Sequence, residues 1–164
     1  VVGVAGGPDK CRYVVEDLGF DACVDYRQYG DLRSLAKALK EACPAGIDGY
    51  FENVGGLLLD AALLRMNDHG RIALCGMITG YDGKPHPLQH PVLLLTKRIR
   101  LEGFIVGEHM EFWLAALKEL SGLVAQGRLR PRETVAQGIE SAPEAFLGLL
   151  RGRNFGKQLV KLID

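Results

Sequence analysis

The sequence lacks an excess of charge of either sign: acidic and basic residues number twenty each. Without a net field, nothing global draws the chain to nucleic acid or to a membrane surface. The short basic runs Lys97-Arg98-Ile99-Arg100 and Arg128-Leu129-Arg130-Pro131-Arg132 read as solvated surface. Zinc-type cysteine spacing is also missing. Cys11, Cys23, Cys43 and Cys75 form no CxxC pair and match no Cys/His pattern for zinc. They read as reduced thiols of a cytoplasmic protein. His69, His86, His90 and His109 are scattered over expected loops, so neither a metal set nor a Ser/His/Asp order emerges. No apolar run is long enough to span a bilayer, and none reads as a signal peptide. Internal repeats and low-complexity segments are lacking as well.

What is present is glycine and apolar bulk. The 164 residues include 21 glycines, nearly twice the ordinary share of about 7%. That density points to tight turns or close backbone approach to a ligand. A hydrophobic content of 48% at this length supports a proper core.

Periodicity alternates between strand and helix. Residues 1–5 form an apolar β-rich run with no preceding turn or cap, which reads as a start inside a buried strand. Pro8 and Asp9 signal a helix over 8–18 that Gly19 ends. A short strand is expected over 22–26. Leu32, Leu35, Ala36 and Leu39 mark a helix stopped by Pro44 and Gly46. A strand over 47–54, a helix over 57–66 and a strand over 70–76 follow. A Gly/Pro/His-rich loop then leads to a strand over 100–106 and a long helix marked by Trp113, Leu117, Leu120 and Val124. Such alternation with short connections predicts βαβ units, and hence a Rossmann-like, doubly wound parallel sheet. The tail predicts a strand over 134–139, a helix over 142–150 and a strand over 157–163, outside the main sheet. The expected division is a dinucleotide-binding domain over 1–126 and a C-terminal segment over 127–164.

Ligands of open α/β sheets sit at the carboxyl ends of the strands. Those ends carry Gly6-Gly7-Pro8-Asp9-Lys10, Asp25-Tyr26, Glu52-Asn53-Val54-Gly55-Gly56, Cys75-Gly76-Met77-Ile78-Thr79-Gly80-Tyr81, and Phe104-Ile105-Val106-Gly107. The run over 1–5 ends without the carboxylate that would bind a ribose hydroxyl of NAD. Lys10 instead opposes the dipole of its helix, by about 0.3–1 kcal/mol, a conflict that a bound phosphate would offset. Two readings of Lys10 stand side by side: a phosphate ligand, or a solvated lysine beside Asp9. Tyr26 is either a second phosphate contact or an edge-packing residue. For Cys75, packing is favoured over a nucleophilic role.

The segments VVGVAGGPDKC, VDY, GIDGYFENVGG, ALCGMITGY, LEGFIV, APEAF and NFGKQLV run from one end of the chain to the other. Together they resemble the cofactor domain of the zinc-independent medium-chain dehydrogenase/reductases, in the branch of the leukotriene/prostaglandin reductases and 2-alkenal double-bond reductases. The resemblance implies an NADPH-dependent enzyme that reduces the C=C bond of an enone or enal. It implies that Lys10 and Tyr26 hold the 2′-phosphate and that Asn53 contacts the ribose or pyrophosphate. Cys75, Ile78 and Thr79 would line the nicotinamide, while Phe104, Ile105 and Val106 would offer backbone groups to its carboxamide. Asn154 and Gly156 would close over the cofactor, and Tyr81 would steady the substrate carbonyl. Two features depart from the family pattern. The glycine-rich loop, its strand and a barrel domain would precede Val1, and Asp82 follows Tyr81 where asparagine is common. Residues 127–164 would return to that barrel. The implied full-length protein is a cytoplasmic homodimer with a small-molecule substrate and neither nucleic acid nor membrane as partner. A chain lacking those parts is expected to be inactive alone and to bind NADPH poorly. A zinc-type alcohol dehydrogenase of the same fold, and a non-catalytic nucleotide-binding module, are the alternatives.

Overall fold

The computed structural model describes residues 1–81, 83 and 86–163; Asp82, one of the two departures from the family pattern, lies outside the described residues. Two compact units divide the chain, Val1–Ile105 and Val106–Asp164.

The first unit is a run of β and α elements in alternation. In chain order they are β1 (Val2–Ala5), α1 (Pro8–Glu16), β2 (Ala22–Asp25), α2 (Leu32–Ala42), β3 (Ile47–Glu52), α3 (Gly56–Arg65), β4 (Met66–Leu74), α4 (Val92–Thr96) and β5 (Arg100–Gly103). Every strand pair is parallel: β1 with β2, β3 with β4, and β4 with β5. The expected Rossmann-like α/β architecture is what the chain adopts. Between the edges of β1 and β3 lies a cavity of about 430 Å³, lined by Val2 and Val4 on one side and by Ile47, Gly49 and Tyr50 on the other. Among the described residues these two edges do not pair, so the strands form two parallel pieces.

Helices cover both faces of β1. Gly3 is buried against α1: a Cβ there would come within 2.7 Å of a Val14 methyl and 3.3 Å of the Phe20 ring. Val4, one residue on and therefore on the opposite face, packs with α2 and α3. Asp31 starts α2 by accepting the Ser34 N–H at 2.9 Å. Leu35, Ala38 and Leu39 form its buried face. The central element is α3, apolar nearly all round and buried accordingly. Leu58, Ala61 and Ala62 join the cluster with α2 and Val24; Leu59 and Leu63 join Met66, Ile72 and Ile99. Each fully buried leucine contributes about 1.5–3 kcal/mol, so this wedge secures both pieces of sheet.

Several boundaries differ from the sequence expectation, among them the end of the strand expected over 100–106, which stops at Gly103, and three have a visible cause. Tyr26 is off the strand, because the Asp25 carboxylate accepts the Arg27 N–H and turns residues Tyr26–Gln28 into a 3₁₀ turn. β3 stops at Glu52, whose carboxylate takes the Val54 and Gly55 N–H groups. β4 begins four residues early, at Met66, with a register irregularity opposite Ile47–Gly49 and a left-handed His69. Its polar start is held by Asn67 Nδ2, which donates to Ala45 O and Asp48 Oδ1. The short helix α4 falls where no helix was expected.

The second unit contains α5 (Trp113–Ala125), β6 (Glu133–Gln137), α6 (Ala142–Leu150) and β7 (Lys157–Lys161). β6 and β7 pair in parallel, Glu133 opposite Lys157 through Gln137 opposite Lys161, in a sheet of their own.

Candidate cofactor site

The turn after β1 is organised by a residue from the next strand. Gly7 sits at φ 102°, a conformation that favours glycine. Its N–H donates to Asp25 Oδ1 at 2.8 Å. The same carboxylate accepts the Arg27 N–H and the Gln28 side-chain amide, each at 3.2 Å. The Gly7 N–H, more than any other influence, holds the Asp25 carboxyl below the usual carboxylate range. Tyr26 packs on the α2–α3 core, and its hydroxyl lies 3.0 Å from where a Gly6 Cβ would be. Gly6 must therefore be bare. Lys10, half-buried in the first turn of α1, is held below the ordinary lysine range by burial and then by the Arg27 charge. Of the predicted pair, Tyr26 lies against Gly6 from the 3₁₀ turn after β2, and Lys10 stands in the first turn of α1. Sequence reasoning missed Asp25 as the organiser of the turn after β1 and Arg27 as its neighbour. The only sequence signal was their adjacency to Tyr26.

A pH prediction follows from Asp25. A depressed carboxyl stabilises the folded turn above the unfolded value of about 3.9, and that contribution is lost as pH falls through the lower folded value. The Gly7 amide resonance should shift with pH in that acidic window, and Asp25→Asn should abolish the shift. A Gly7 resonance insensitive to pH in the native protein would refute the assignment.

The ends of β3, β4 and β5 make a second polar edge. Glu52 is fully buried; one carboxylate oxygen accepts the Val54 N–H and, at 3.0 Å, the Gly55 N–H. The other carboxylate oxygen is buried as well, on a carboxylate that also interacts with the Tyr50 hydroxyl. This carboxylate shapes the turn that presents Asn53, whose carbonyl accepts the Ile78 N–H at 3.2 Å. Thr79 is locked onto the same turn: its N–H and its hydroxyl both donate to Val54 O, at 3.0 and 2.7 Å. The Cys75 N–H donates to Glu52 O at 2.9 Å, leaving an exposed thiol beside the turn. Ile78 is exposed, as is Tyr81 at 71%. The Phe104 N–H continues the β4–β5 pairing onto Leu74 O at 3.2 Å, and its ring centroid lies 6.1 Å from that of Phe51. Ile105 follows it, exposed. The fold therefore brings Asn53, Cys75, Ile78 and Thr79 together, with Phe104 one strand away.

Val106, Asn154 and Gly156 belong to the second unit. There Val106 O accepts the Trp113 indole N–H at 3.3 Å. Asn154 Nδ2 donates to Gly156 O at 2.6 Å.

Two of the thiols are held in their protonated form. All four cysteines are free. Burial, then the neighbouring Cys11, pushes Cys23 up to about 12, and burial raises Cys43. Both therefore keep their protons at neutral pH.

Residues 1–122 match the family described as zinc-binding dehydrogenase. The chain belongs to that family. Within it, the chain is 44% identical over 161 residues to the NADP(+)-dependent 2-alkenal reductase of Nicotiana tabacum, covering 98% of this chain and 46% of that protein. It is 40% identical to prostaglandin reductase 1 of Rattus norvegicus, covering 98% of this chain and 49% of the relative. Among solved structures, CurA from Vibrio vulnificus in complex with NADPH superposes with a TM-score of 0.89 at 38% identity, over 100% of this chain and 50% of that one. The chain spans about half the length of the curated relatives it matches. The metal in the family's description finds no fit here. Among the described residues no group of three or more His, Cys, Asp or Glu could hold a metal ion.

Proposed function

We propose that this chain is the cofactor-binding part of an NADPH-dependent reductase acting on the C=C bond of α,β-unsaturated ketones or aldehydes. The observation that carries the reading is the glycine turn after β1, where the Tyr26 hydroxyl and a cationic surround meet a bare backbone and no acid ends the strand. That arrangement suits a 2′-phosphate, and the carboxylate at the turn, that of Asp25, is taken up by the Gly7 and Arg27 N–H groups and the Gln28 amide. Relatives bearing the names 2-alkenal reductase and prostaglandin reductase, and the NADPH complex of CurA, support the same reading.

NADPH, when bound, supplies the hydride added to the β-carbon of the substrate. The residues of the chain bind and orient. Lys10 and Tyr26 hold the 2′-phosphate, and Asn53 meets the ribose or pyrophosphate. Cys75, Ile78 and Thr79 line the nicotinamide, with Thr79 held still by Val54. Backbone groups of Phe104, Ile105 and Val106 meet the carboxamide; Asn154 and Gly156 close over the cofactor. Tyr81, exposed beyond the β4 turn, donates to the substrate carbonyl oxygen as negative charge gathers there. In the same reading, residues 127–164 complete a barrel-like domain of a cytoplasmic homodimer. Among the described residues no helix is long and apolar enough to cross a membrane.

The test is Lys10→Ala in the full-length protein, with NADPH and NADH affinities compared. Loss of one charge-assisted contact should weaken NADPH by about ten- to a hundredfold and leave NADH nearly unchanged. Equal effects on the two cofactors would overturn the reading.

A further inference from the structure

The cationic character of the Gly6–Gly7 turn has a second source. Arg27 stands in the middle of the 3₁₀ turn after β2. A Cβ on Gly6 would come within 2.8 Å of Arg27 Nε, and one on Gly7 within 3.9 Å of its Nη1. The guanidinium therefore lies along the bare backbone of both glycines, next to the Tyr26 hydroxyl. Its charge also reaches Lys10, on the first turn of α1. Two cations and a hydroxyl, donated by separate elements, converge on one glycine turn.

One backbone donor at this turn is already taken. The Gly7 N–H, at the start of α1, is occupied by Asp25 Oδ1. Asp25 is committed to holding the loop through three hydrogen bonds, and the Arg27 charge is the weakest of the influences on it. An anion here would therefore draw on side chains. Two like charges at one turn favour a group that carries two negative charges. A phosphomonoester dianion meets that requirement, and a guanidinium offers it paired N–H donors in a fixed fork.

We propose that Arg27 is a specificity-determining residue of the cofactor site, sharing the adenosine 2′-phosphate with Lys10 and the Tyr26 hydroxyl. The inference rests on the reading of the turn as an NADPH site. Arg27 holds two phosphate oxygens, whereas Lys10 supplies a point charge from the opposite side.

The experiment measures NADPH, NADH, 2′,5′-ADP and 5′-AMP affinities of the full-length protein and of its Arg27→Leu, Arg27→Lys and Lys10→Ala variants. Thermal melting verifies that each variant is folded. Arg27→Leu should weaken NADPH and 2′,5′-ADP by about ten- to a hundredfold while NADH and 5′-AMP change by less than about twofold. Arg27→Lys, which keeps the charge and loses the fork, should fall between the two. The preference for 2′,5′-ADP over 5′-AMP should rise as pH passes about 6, where the phosphate loses its second proton, and the rise should shrink in Arg27→Leu. Should Arg27→Leu fail to fold, Arg27→Lys carries the same comparison. Unchanged NADPH affinity in the Arg27 variants, or equal weakening of both cofactors, overturns the inference. If Lys10→Ala alone erases the preference, the NADPH reading stands without Arg27; if neither variant alters it, the NADPH reading falls too.

Discussion

Replacing Glu52 with alanine should lower the unfolding free energy by about 2–6 kcal/mol, from about 1–3 kcal/mol for each of two N–H groups left without an acceptor. The corresponding fall in melting temperature is on the order of 10 °C. Glu52 is fully buried at the end of β3, and its carboxylate gathers the Val54 and Gly55 N–H groups. With the acceptor gone, the turn carrying Asn53 has no reason to leave the strand direction, so cofactor affinity should fall along with stability. Burial, and then the Glu52 charge, pushes the Tyr50 hydroxyl well above the usual tyrosine range, so the phenol stays protonated beside the carboxylate. Glu52→Gln separates the causes. It keeps an acceptor oxygen for both N–H groups and removes the buried charge, and should cost only about 1 kcal/mol. Chemical denaturation of the three proteins decides the matter: a glutamine variant as unstable as the alanine one would shift the role from the hydrogen bonds to the charge.

Gly156→Ala should disrupt the start of β7, for a reason unrelated to any ligand. Gly156 has φ 75°, a region where a non-glycine residue costs about 1–3 kcal/mol. A Cβ there would also overlap the Arg132 carbonyl oxygen, the group that accepts the Lys157 N–H at 2.7 Å. The expected result is loss of amide-exchange protection along Glu133–Gln137 and Lys157–Lys161, with melting lowered even in the absence of nucleotide. Protection unchanged from the native protein would show that the backbone there yields easily. The comparison bears on the proposed closure over the cofactor. Because the alanine substitution damages the strand directly, Asn154 is the better probe of that role, its amide otherwise donating to Gly156 O.

How much of this could be read before folding varies with the range of the interaction responsible. The helix of residues 32–42 was legible because its signals are local: Leu32, Leu35, Ala36 and Leu39 recur at helical spacing, and Pro44 and Gly46 follow as stops. The alternation of strands and helices likewise implied parallel pairing, since a strand that must be regained through a helix returns in the same direction. Lys10 and Tyr26 were paired as candidate phosphate contacts only through the family resemblance. By contrast, the role of Asp25 in the turn after β1 depends on its carboxylate meeting the N–H of Gly7, eighteen positions away. The early start of β4 depends on Asn67 reaching Ala45 and Asp48 across the sheet. Glu52 stood at the expected end of a strand with nothing to mark its burial, yet it is fully buried. Arg27 carried no signal of its own, yet it lies along two glycines. Composition, hydrophobic period and glycine placement determined the α/β class and the edge where a ligand would sit, because each acts within one turn or one strand. Only the tertiary structure decided which side chains converge at that edge. Their directions are set by hydrogen bonds between segments far apart in the chain, and no local pattern encodes those.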